Sequence, residues 1–159
     1  MTDIVTSLWF DGDAEEAVGF YTSLIPNSSI DHVLRAAANG PGTTTGDVIQ
    51  VSFTLCGRRF NAINGGRGFP FTEAISLALT ADTQAEADAY WDTLTEGGEE
   101  SQCGWLKDRF GLSWQIVPAP AIELLSSADP QVARRATEAM FTMRRIDSEE
   151  MRRAAFADN

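Results

Sequence analysis

The sequence has few of the residues that build disulfide frameworks, metal centres and membrane spans. Its two cysteines, Cys56 and Cys103, are too few for a disulfide framework, and one histidine, His32, provides no cluster of imidazoles for a zinc site. No run of about eighteen apolar residues is present, and the first residues lack a basic segment followed by an apolar one. We therefore expect a soluble protein of the reduced cytoplasm that does not insert into membranes.

Basic residues are also scarce. Twelve Lys and Arg against 23 Asp and Glu give a formal net charge of −11, which repels a phosphate backbone, so we expect no nucleic-acid partner. Half of the basic residues fall in the last 26 positions, as three pairs: Arg134, Arg135, Arg144, Arg145, Arg152 and Arg153. These pairs indicate either an exposed helical face of mixed charge or a docking surface for an acidic region of another subunit.

Strand and helix patterns alternate along the chain and predict an α+β fold. Residues 4–10 are rich in β-branched and aromatic side chains, and a turn signal ends them. A helix follows, in which Asp13 and Glu16 are expected to form a capping box. A hairpin is predicted next, with its turn at Cys56 and Gly57.

The same order of elements returns in the second half of the chain. A strand over residues 74–80 precedes a helix that Asp82 is expected to cap, and another hairpin is predicted near residue 110. After residue 118 the pattern becomes helical, with one start at Asp129 and one predicted cap at Ser148. The second half is therefore a second strand-helix-hairpin unit followed by helices.

Short identities between the two halves indicate an internal repeat. Ser7 and Leu8 recur as Ser76 and Leu77, 69 positions later, and an aromatic pair in the helices recurs after 70 positions. A sheet with one apolar face cannot bury that face alone, so each unit needs a helix, the other unit or a partner chain to cover it. The match is short, and shared propensity is the alternative to duplication.

Three segments of the chain resemble a known family. LWFDGDAEEAVGFYTSLIPNS, the FNAINGG end of the first hairpin and QCGWLKDRFGLSWQIVP are similar to the PhnB-like branch of the vicinal oxygen chelate superfamily, often labelled 3-demethylubiquinone-9 3-methyltransferase-like. The superfamily includes glyoxalase I, extradiol dioxygenases and bleomycin-resistance proteins. The resemblance implies two βαβββ-type modules whose curved mixed sheets enclose a cavity, which agrees with the internal repeat.

These features together predict a single α+β domain over residues 1–159. Module one spans about 3–66, module two about 72–118, and a helical C-terminal extension about 119–159. A homodimer is expected, with a small organic molecule as the other partner.

Metal-dependent members of the superfamily hold a divalent ion on His and Glu side chains, one from each of four strands. The resemblance places these ligand positions on Thr6, on Asn61 or Asn64, on Ala74, and on Gln115. Neutral hydroxyl and amide groups are weak ligands for a catalytic divalent cation, so we expect no metal and no other cofactor. His32 lies outside these positions and is expected to be exposed or hydrogen bonded.

Strand alternation extends these positions into a candidate lining for a small-molecule cavity. The candidate ligand-binding residues are Thr6, Leu8, Phe10, Asn61, Ile63, Asn64, Ala74, Ser76, Cys103, Gln115 and Val117. Apolar walls with a few amide and hydroxyl groups are typical of a small-molecule site, although a closed core with hydrogen-bonded polar residues has the same composition. The four tryptophans are expected to pack beneath helices.

Two further features have competing interpretations. Cys103 is a candidate nucleophile because Lys107 is close in sequence, but no histidine is near to act as a base, so an inert cysteine is favoured. The glycine-rich segment 65–68 follows a predicted strand, but no helix opens after it. We interpret this segment as a linker between modules rather than as a loop for a methyl donor.

The leading functional hypothesis is a metal-independent protein that binds a small, partly apolar organic molecule, by analogy with sequestering resistance proteins. The first alternative is an enzyme acting on a small carbonyl or quinone-like compound, with Gln115, Asn61, Asn64 or Thr6 orienting the substrate oxygen. The second alternative is a regulatory or interaction protein that uses its basic C-terminal helices. The methyltransferase label has no methyl-donor motif to support it.

Overall fold

The fold is described for residues 2–157 of a computed structural model. The chain divides into two compact units, Met1–Pro70 and Phe71–Asn159. Within the part described, no helix is long and apolar enough to cross a membrane. The single domain expected from the sequence stays a prediction.

The first unit is a four-stranded mixed sheet with one helix. Its elements are β1 (Thr6–Phe10), α1 (Ala14–Leu24), β2 (Ser29–Arg35), β3 (Val48–Leu55) and β4 (Arg58–Asn64). The strand order is β1-β4-β3-β2; β1 is parallel to β4, and the other pairs are antiparallel. The predicted hairpin is confirmed, because Cys56 and Gly57 both adopt positive φ angles, 49° and 75°, as a two-residue type I′ turn requires.

The core of the first unit lies between α1 and one face of the sheet. The helix buries its apolar stripe of Ala14, Ala17, Val18 and Tyr21. The sheet buries alternate residues of its strands, which are Leu8, Phe10, Val51, Phe53, Leu55, Phe60 and Ala62. The opposite face of this sheet, away from α1, is called the open face below.

The start of α1 differs from the prediction. Asp13 occupies the N-cap position, but its side chain makes no capping hydrogen bond, so the predicted capping box is wrong. The Ala14 N–H instead donates to Asn64 Oδ1 at 3.0 Å, and Asn64 Nδ2 donates to the Val48 carbonyl at 3.0 Å. A side chain from β4 thus satisfies a donor that the local sequence leaves free.

The second unit repeats this architecture and adds three helices. Its elements are β5 (Ser76–Ala81), α2 (Gln84–Thr95), β6 (Glu99–Glu100), β7 (Trp105–Lys107), β8 (Ser113–Pro118), α3 (Ala119–Leu125), α4 (Pro130–Met140) and α5 (Ser148–Ala155). The strand order β5-β8-β7-β6, with β5 parallel to β8, is the order of the first sheet. The predicted α+β fold of two βαβββ-type modules with C-terminal helices is confirmed.

Helix starts in the second unit lie close to the predicted positions. Thr83 rather than Asp82 caps α2, and Asp147 rather than Ser148 caps α5; each side chain accepts a backbone N–H of the first helical turn. Asp129 caps α4 as predicted. Neighbouring Ser, Thr and Asp residues have similar capping preferences, so the sequence locates the cap only to within a residue.

The three C-terminal helices form an apolar cluster of their own in the second unit. Its buried members are Ala121, Leu124, Val132, Ala136, Met143, Ile146, Met151 and Ala155. The basic residues of this region contact acidic residues of the same unit, since Arg144 lies 3.6 Å from Glu100 and Arg145 lies 3.6 Å from Asp88. These arginines therefore contact β6 and α2 of their own unit.

Candidate functional site

In the first unit the candidate residues divide between the two faces of the sheet. Leu8 and Phe10 face α1 and are only 4% and 2% exposed, so they belong to the core. Thr6 lies on the same side, at an exposed strand end. Asn61 and Ile63 alternate onto the open face, where they pair in register with Ser7 and Trp9 of β1. The structure therefore does not bring the candidates of β1 and β4 onto one surface.

A cluster of amide and hydroxyl groups lies on this open face. Asn61 Oδ1 accepts from Ser52 Oγ at 2.9 Å and from Gln50 Nε2 at 3.3 Å. Sequence analysis missed Gln50 and Ser52, although hairpin pairing of β3 with β4 places Ser52 opposite Asn61. The amide group of Asn61 is thus held in place by hydrogen bonds from its neighbours. Asn64 lies outside this polar cluster, because its side chain caps α1.

Trp9 lies on the open face as well, which corrects the expectation that the tryptophans pack beneath helices. Its Nε1 donates to the Gly66 carbonyl at 2.7 Å, and its ring contacts Phe69 edge-on with centroids 5.0 Å apart. A Cβ atom on Gly65 would come within 1.9 Å of the indole ring. The glycine-rich segment therefore provides space for an indole.

In the second unit, Ser76 and Gln115 lie together on the face of the sheet away from α2, which is the open face of this unit. Gln115 Nε2 donates to Ser76 Oγ at 2.8 Å and so joins β8 to β5. Trp105 pairs in register with Gln115 and shares this face, again contrary to the prediction for tryptophans. Val117 packs against the cluster of C-terminal helices, and Ala74 is an exposed residue before β5.

Ser113, which strand alternation in the sequence places on the same face as Gln115, is a buried polar residue outside the list of candidates. It lies two positions before Gln115, is 1% exposed, and its Oγ is a buried polar atom without a hydrogen-bond partner among residues 2–157. A buried hydroxyl without a partner costs about 1–3 kcal/mol, so such groups are rare unless they serve a function. Ser113 lines a cavity of about 100 Å³ together with Glu73, Glu99, Glu100, Ser101, Trp105, Leu106 and Lys107.

A salt bridge crosses the open face beside Ser113. Lys107 Nζ lies 2.6 Å from Glu73 Oε1. Lys107 belongs to β7 and Glu73 precedes β5, and β8 lies between those two strands, so the pair spans the strand that carries Ser113. The hydrogen bond from Lys107 lowers the pKa of the Glu73 carboxyl, and the same bond raises the pKa of Lys107. Both groups therefore stay charged over a wide pH range.

Buried Asp108 organises the turn that leads into β8. Its side chain is closed off from solvent, with the residue 3% exposed. Asp108 Oδ1 accepts from the N–H groups of Phe110 at 2.9 Å and Leu112 at 3.1 Å, and Oδ2 accepts from Trp114 Nε1 at 2.8 Å. One carboxylate thus fixes both the turn and the start of β8.

Cys103 contacts the C-terminal helical region and not the polar groups of the open face. Its backbone has a positive φ of 56°, and its N–H donates to the Met143 carbonyl at 2.9 Å. Its Sγ lies 3.6 Å from the Met140 carbonyl. These contacts attach the chain between α4 and α5 to the loop before β7.

Residues 2–117 match the 3-demethylubiquinone-9 3-methyltransferase family. This chain belongs to that family. A PhnB protein from Bacillus cereus, whose name includes the same methyltransferase, is 39% identical with a TM-score of 0.68, over 74% of this chain and 100% of that chain. The resemblance to the PhnB-like family seen in the sequence is thereby confirmed. None of the curated proteins matches the chain.

Less similar solved structures add no functional information. Protein PA1353 from Pseudomonas aeruginosa is 21% identical with a TM-score of 0.61, over 74% of this chain and 98% of that chain, and it shares the fold. The fosfomycin resistance protein FosX from Listeria monocytogenes, solved with Mn(II) and sulfate, is 14% identical with a TM-score of 0.47, over 71% of this chain and 86% of that chain. The family match ends at residue 117, before the three C-terminal helices.

In this member of the 3-demethylubiquinone-9 3-methyltransferase family, the side chains at the expected ligand positions do not fit a divalent metal centre. Asn61, Ser76 and Gln115 offer only hydroxyl and amide groups, which bind such ions weakly. Across residues 2–157, no group of three or more His, Cys, Asp or Glu side chains comes together in a way that suits a metal ion. His32 is exposed on β2. The donor set therefore differs from the His and Glu set of metal-dependent superfamily members.

Proposed function

We propose that the chain is a metal-independent protein that binds a small, partly apolar organic molecule on the open face of its second sheet. The observation that carries this proposal is the Gln115–Ser76 hydrogen bond beside the buried, unpartnered hydroxyl of Ser113. A few fixed polar groups next to a cavity and an aromatic side chain are the usual composition of a small-molecule site. The aromatic side chain is Trp105, which pairs in register with Gln115.

The hydrogen bonds on this face leave specific side-chain groups with which a ligand could hydrogen bond. Gln115 uses its Nε2 to bind Ser76, so its amide orientation is fixed and its carbonyl oxygen is available as an acceptor. The Ser113 hydroxyl both donates and accepts. The Ser113 Oγ is closed off from solvent, so a ligand reaches it only by displacing the side chains around it. A hydrogen bond made there would satisfy a buried group that the protein leaves without a partner among residues 2–157, and this gain favours binding.

Metal independence is supported by the chemistry of the side chains at the expected ligand positions. A catalytic divalent cation needs imidazole or carboxylate groups to offset its desolvation. Ser76 and Gln115 supply neither, and Ala74 has no ligating atom. We therefore expect that protein stripped of metal and offered Zn, Mn, Fe or Ni shows no stoichiometric uptake and no thermal shift.

Methyl transfer, which the family name suggests, has less support. Gly65 and Gly66 of the glycine-rich segment 65–68 contact Trp9, and no helix opens directly after the segment, so it provides no helix N-terminus for a methyl donor. The interaction hypothesis for the C-terminal helices is also weakened, because Arg144 and Arg145 contact acidic residues of their own unit. The homodimer stays a prediction that light scattering tests.

A thermal-shift screen of metabolites and aromatic drugs tests the proposed function. A ligand at a hundred times its Kd stabilises the folded protein by about 2.7 kcal/mol, which a thermal scan resolves. Gln115→Ala should weaken a hit by about two- to tenfold, the effect of one neutral hydrogen bond. Gln131→Ala, a matched change on exposed α4, should leave the affinity unchanged.

Mass analysis of each hit then separates binding from catalysis. Recovery of the unchanged ligand supports sequestration, whereas a new product, with or without added S-adenosylmethionine, identifies an enzyme. The proposal is rejected if no compound stabilises the protein, or if every hit is indifferent to Gln115→Ala. Tight one-to-one binding of a divalent metal would reject metal independence.

A further inference from the structure

We infer that the cavity beside Ser113 accepts the ammonium group of a small primary amine. This ligand class rests on the proposed function, because the cavity adjoins Gln115 through Trp105 on the same open face. It adds a chemical identity to the ligand, since the Gln115–Ser76 pair by itself suits any small molecule with a hydrogen-bonding group.

The charges around the cavity favour a cation. Glu73, Glu99 and Glu100 line it together with Lys107. The Glu100 carboxylate is already engaged, since it accepts from Trp91 Nε1 at 3.1 Å and lies 3.6 Å from Arg144. The carboxylates of Glu73 and Glu99 therefore face the single ammonium of Lys107, which leaves one negative charge in excess. A concave site of one net sign attracts ligands of the opposite sign, and the net charge of −11 on the whole chain acts in the same direction.

The hydrogen-bonding groups fit an ammonium ion as well. An alkylammonium has three donors and no acceptor, so it needs several oxygen acceptors arranged around it. The carboxylates of Glu73 and Glu99 supply acceptors at the cavity. The Ser113 Oγ, which is closed off from solvent and has no partner in the part of the chain described, supplies another once the side chains around it shift to admit the ligand. The indole of Trp105 lines the same cavity and offers a face on which a cation is stabilised.

The side chain of Lys107 shows how an ammonium group is held at this cavity. Its own ammonium already sits on Glu73 at 2.6 Å, at the edge of the cavity. A ligand amine would share or replace that contact, so Lys107 acts as a competitor rather than as a ligand-binding residue. The cavity volume of about 100 Å³ is several times the roughly 10–15 Å³ that one water needs on this measure, which is room for an ammonium and a short alkyl arm.

The experiment compares three probes of nearly equal size and different charge: butylammonium, butanol and butyrate. Each is titrated into the full-length protein at constant ionic strength, and binding is followed by NMR at the indole N–H of Trp105. We expect saturable shifts with butylammonium, weaker shifts with butanol and none with butyrate. The amine shifts should diminish with added salt, because the carboxylates at the cavity are exposed.

Three variants test the roles of the lining residues. Glu99→Gln should lower butylammonium affinity by about two- to fivefold, the effect of one exposed charge pair. Ser113→Ala should lower the affinity while leaving thermal stability equal or higher, because it removes a buried hydroxyl that has no partner. Lys107→Met should raise the affinity, since it frees Glu73. Arg67→Met removes the same charge in the first unit and should change nothing.

The opposite results overturn the inference. Preferential binding of butyrate, weaker amine binding in Lys107→Met, or no saturable response to butylammonium would each rule out an ammonium site. Failure here is separable from failure of the proposed function, because hits from the metabolite screen that lack an amine and depend on Gln115 would keep the binding function and reject only the ligand class.

Discussion

Replacement of Asp108 by Asn should strongly destabilise the second unit. The carboxylate is 3% exposed and accepts three hydrogen bonds, two at Oδ1 and one at Oδ2. An Asn side chain keeps one acceptor oxygen and turns an NH₂ group toward a donor, such as the indole N–H of Trp114. Loss of a hydrogen bond to a charged group costs about 1.5–3 kcal/mol, and an unpaired buried donor costs about 1–3 kcal/mol, so we expect a total of about 3–5 kcal/mol.

Urea unfolding followed by tryptophan fluorescence and circular dichroism measures this loss. With an m value of about 2 kcal/mol/M, the midpoint of the affected transition should fall by about 2 M. Asp129→Asn is the matched control, because Asp129 is an exposed N-cap and Asn caps a helix as well as Asp does. If Asp108→Asn unfolds within about 0.5 kcal/mol of that control, the carboxylate does not organise the turn.

Two further predictions follow from single contacts. Gly65→Ala places a Cβ against the ring of Trp9 and should cost about 1–3 kcal/mol by overpacking, whereas Gly68→Ala meets nothing within 4 Å; equal thermal unfolding of both variants would contradict the close packing. Carbon-detected NMR should show Glu73 titrating below its ordinary value of 4.5, and moving back toward 4.5 in Lys107→Met. Because the pKa of Glu73 is lower in the folded than in the unfolded state, the ion pair stabilises the fold fully above the unfolded pKa, and this stabilisation is lost as the pH falls through the folded pKa.

The repeat shows how far a local pattern reaches. Ser7 and Ser76 were matched only by an offset along the chain, yet both lie on the open face of their sheets, in strands parallel to β4 and β8 respectively. The alternation of buried and exposed residues places both serines on the open face, because each helix covers the other face of its sheet. The short identity was therefore a reliable sign of the architecture.

The candidate site was predicted less completely than the fold. Ser76 and Gln115 were selected and are hydrogen bonded, but Leu8 and Phe10 lie in the core and Asn64 caps α1. Whether a strand residue lies in the core or on the open face depends on its odd or even position along the strand, since a shift of one residue moves every side chain of a strand to the other face. In β1 the ligand positions were assigned by resemblance alone, and the resemblance did not show which face of the sheet these residues occupy.

Composition, periodicity and turn chemistry determined the α+β class, the repeat and the hairpin at Cys56 and Gly57, because each depends on neighbours within a few residues along the chain. Only the tertiary structure decided which polar groups meet. The bond from Gln115 to Ser76 and the cavity beside Ser113 join residues far apart in sequence, and the side chains that surround them depend on sheet register. Local propensity carries no information about a distant partner, so the chemistry of the open face emerges only when the strands are assembled.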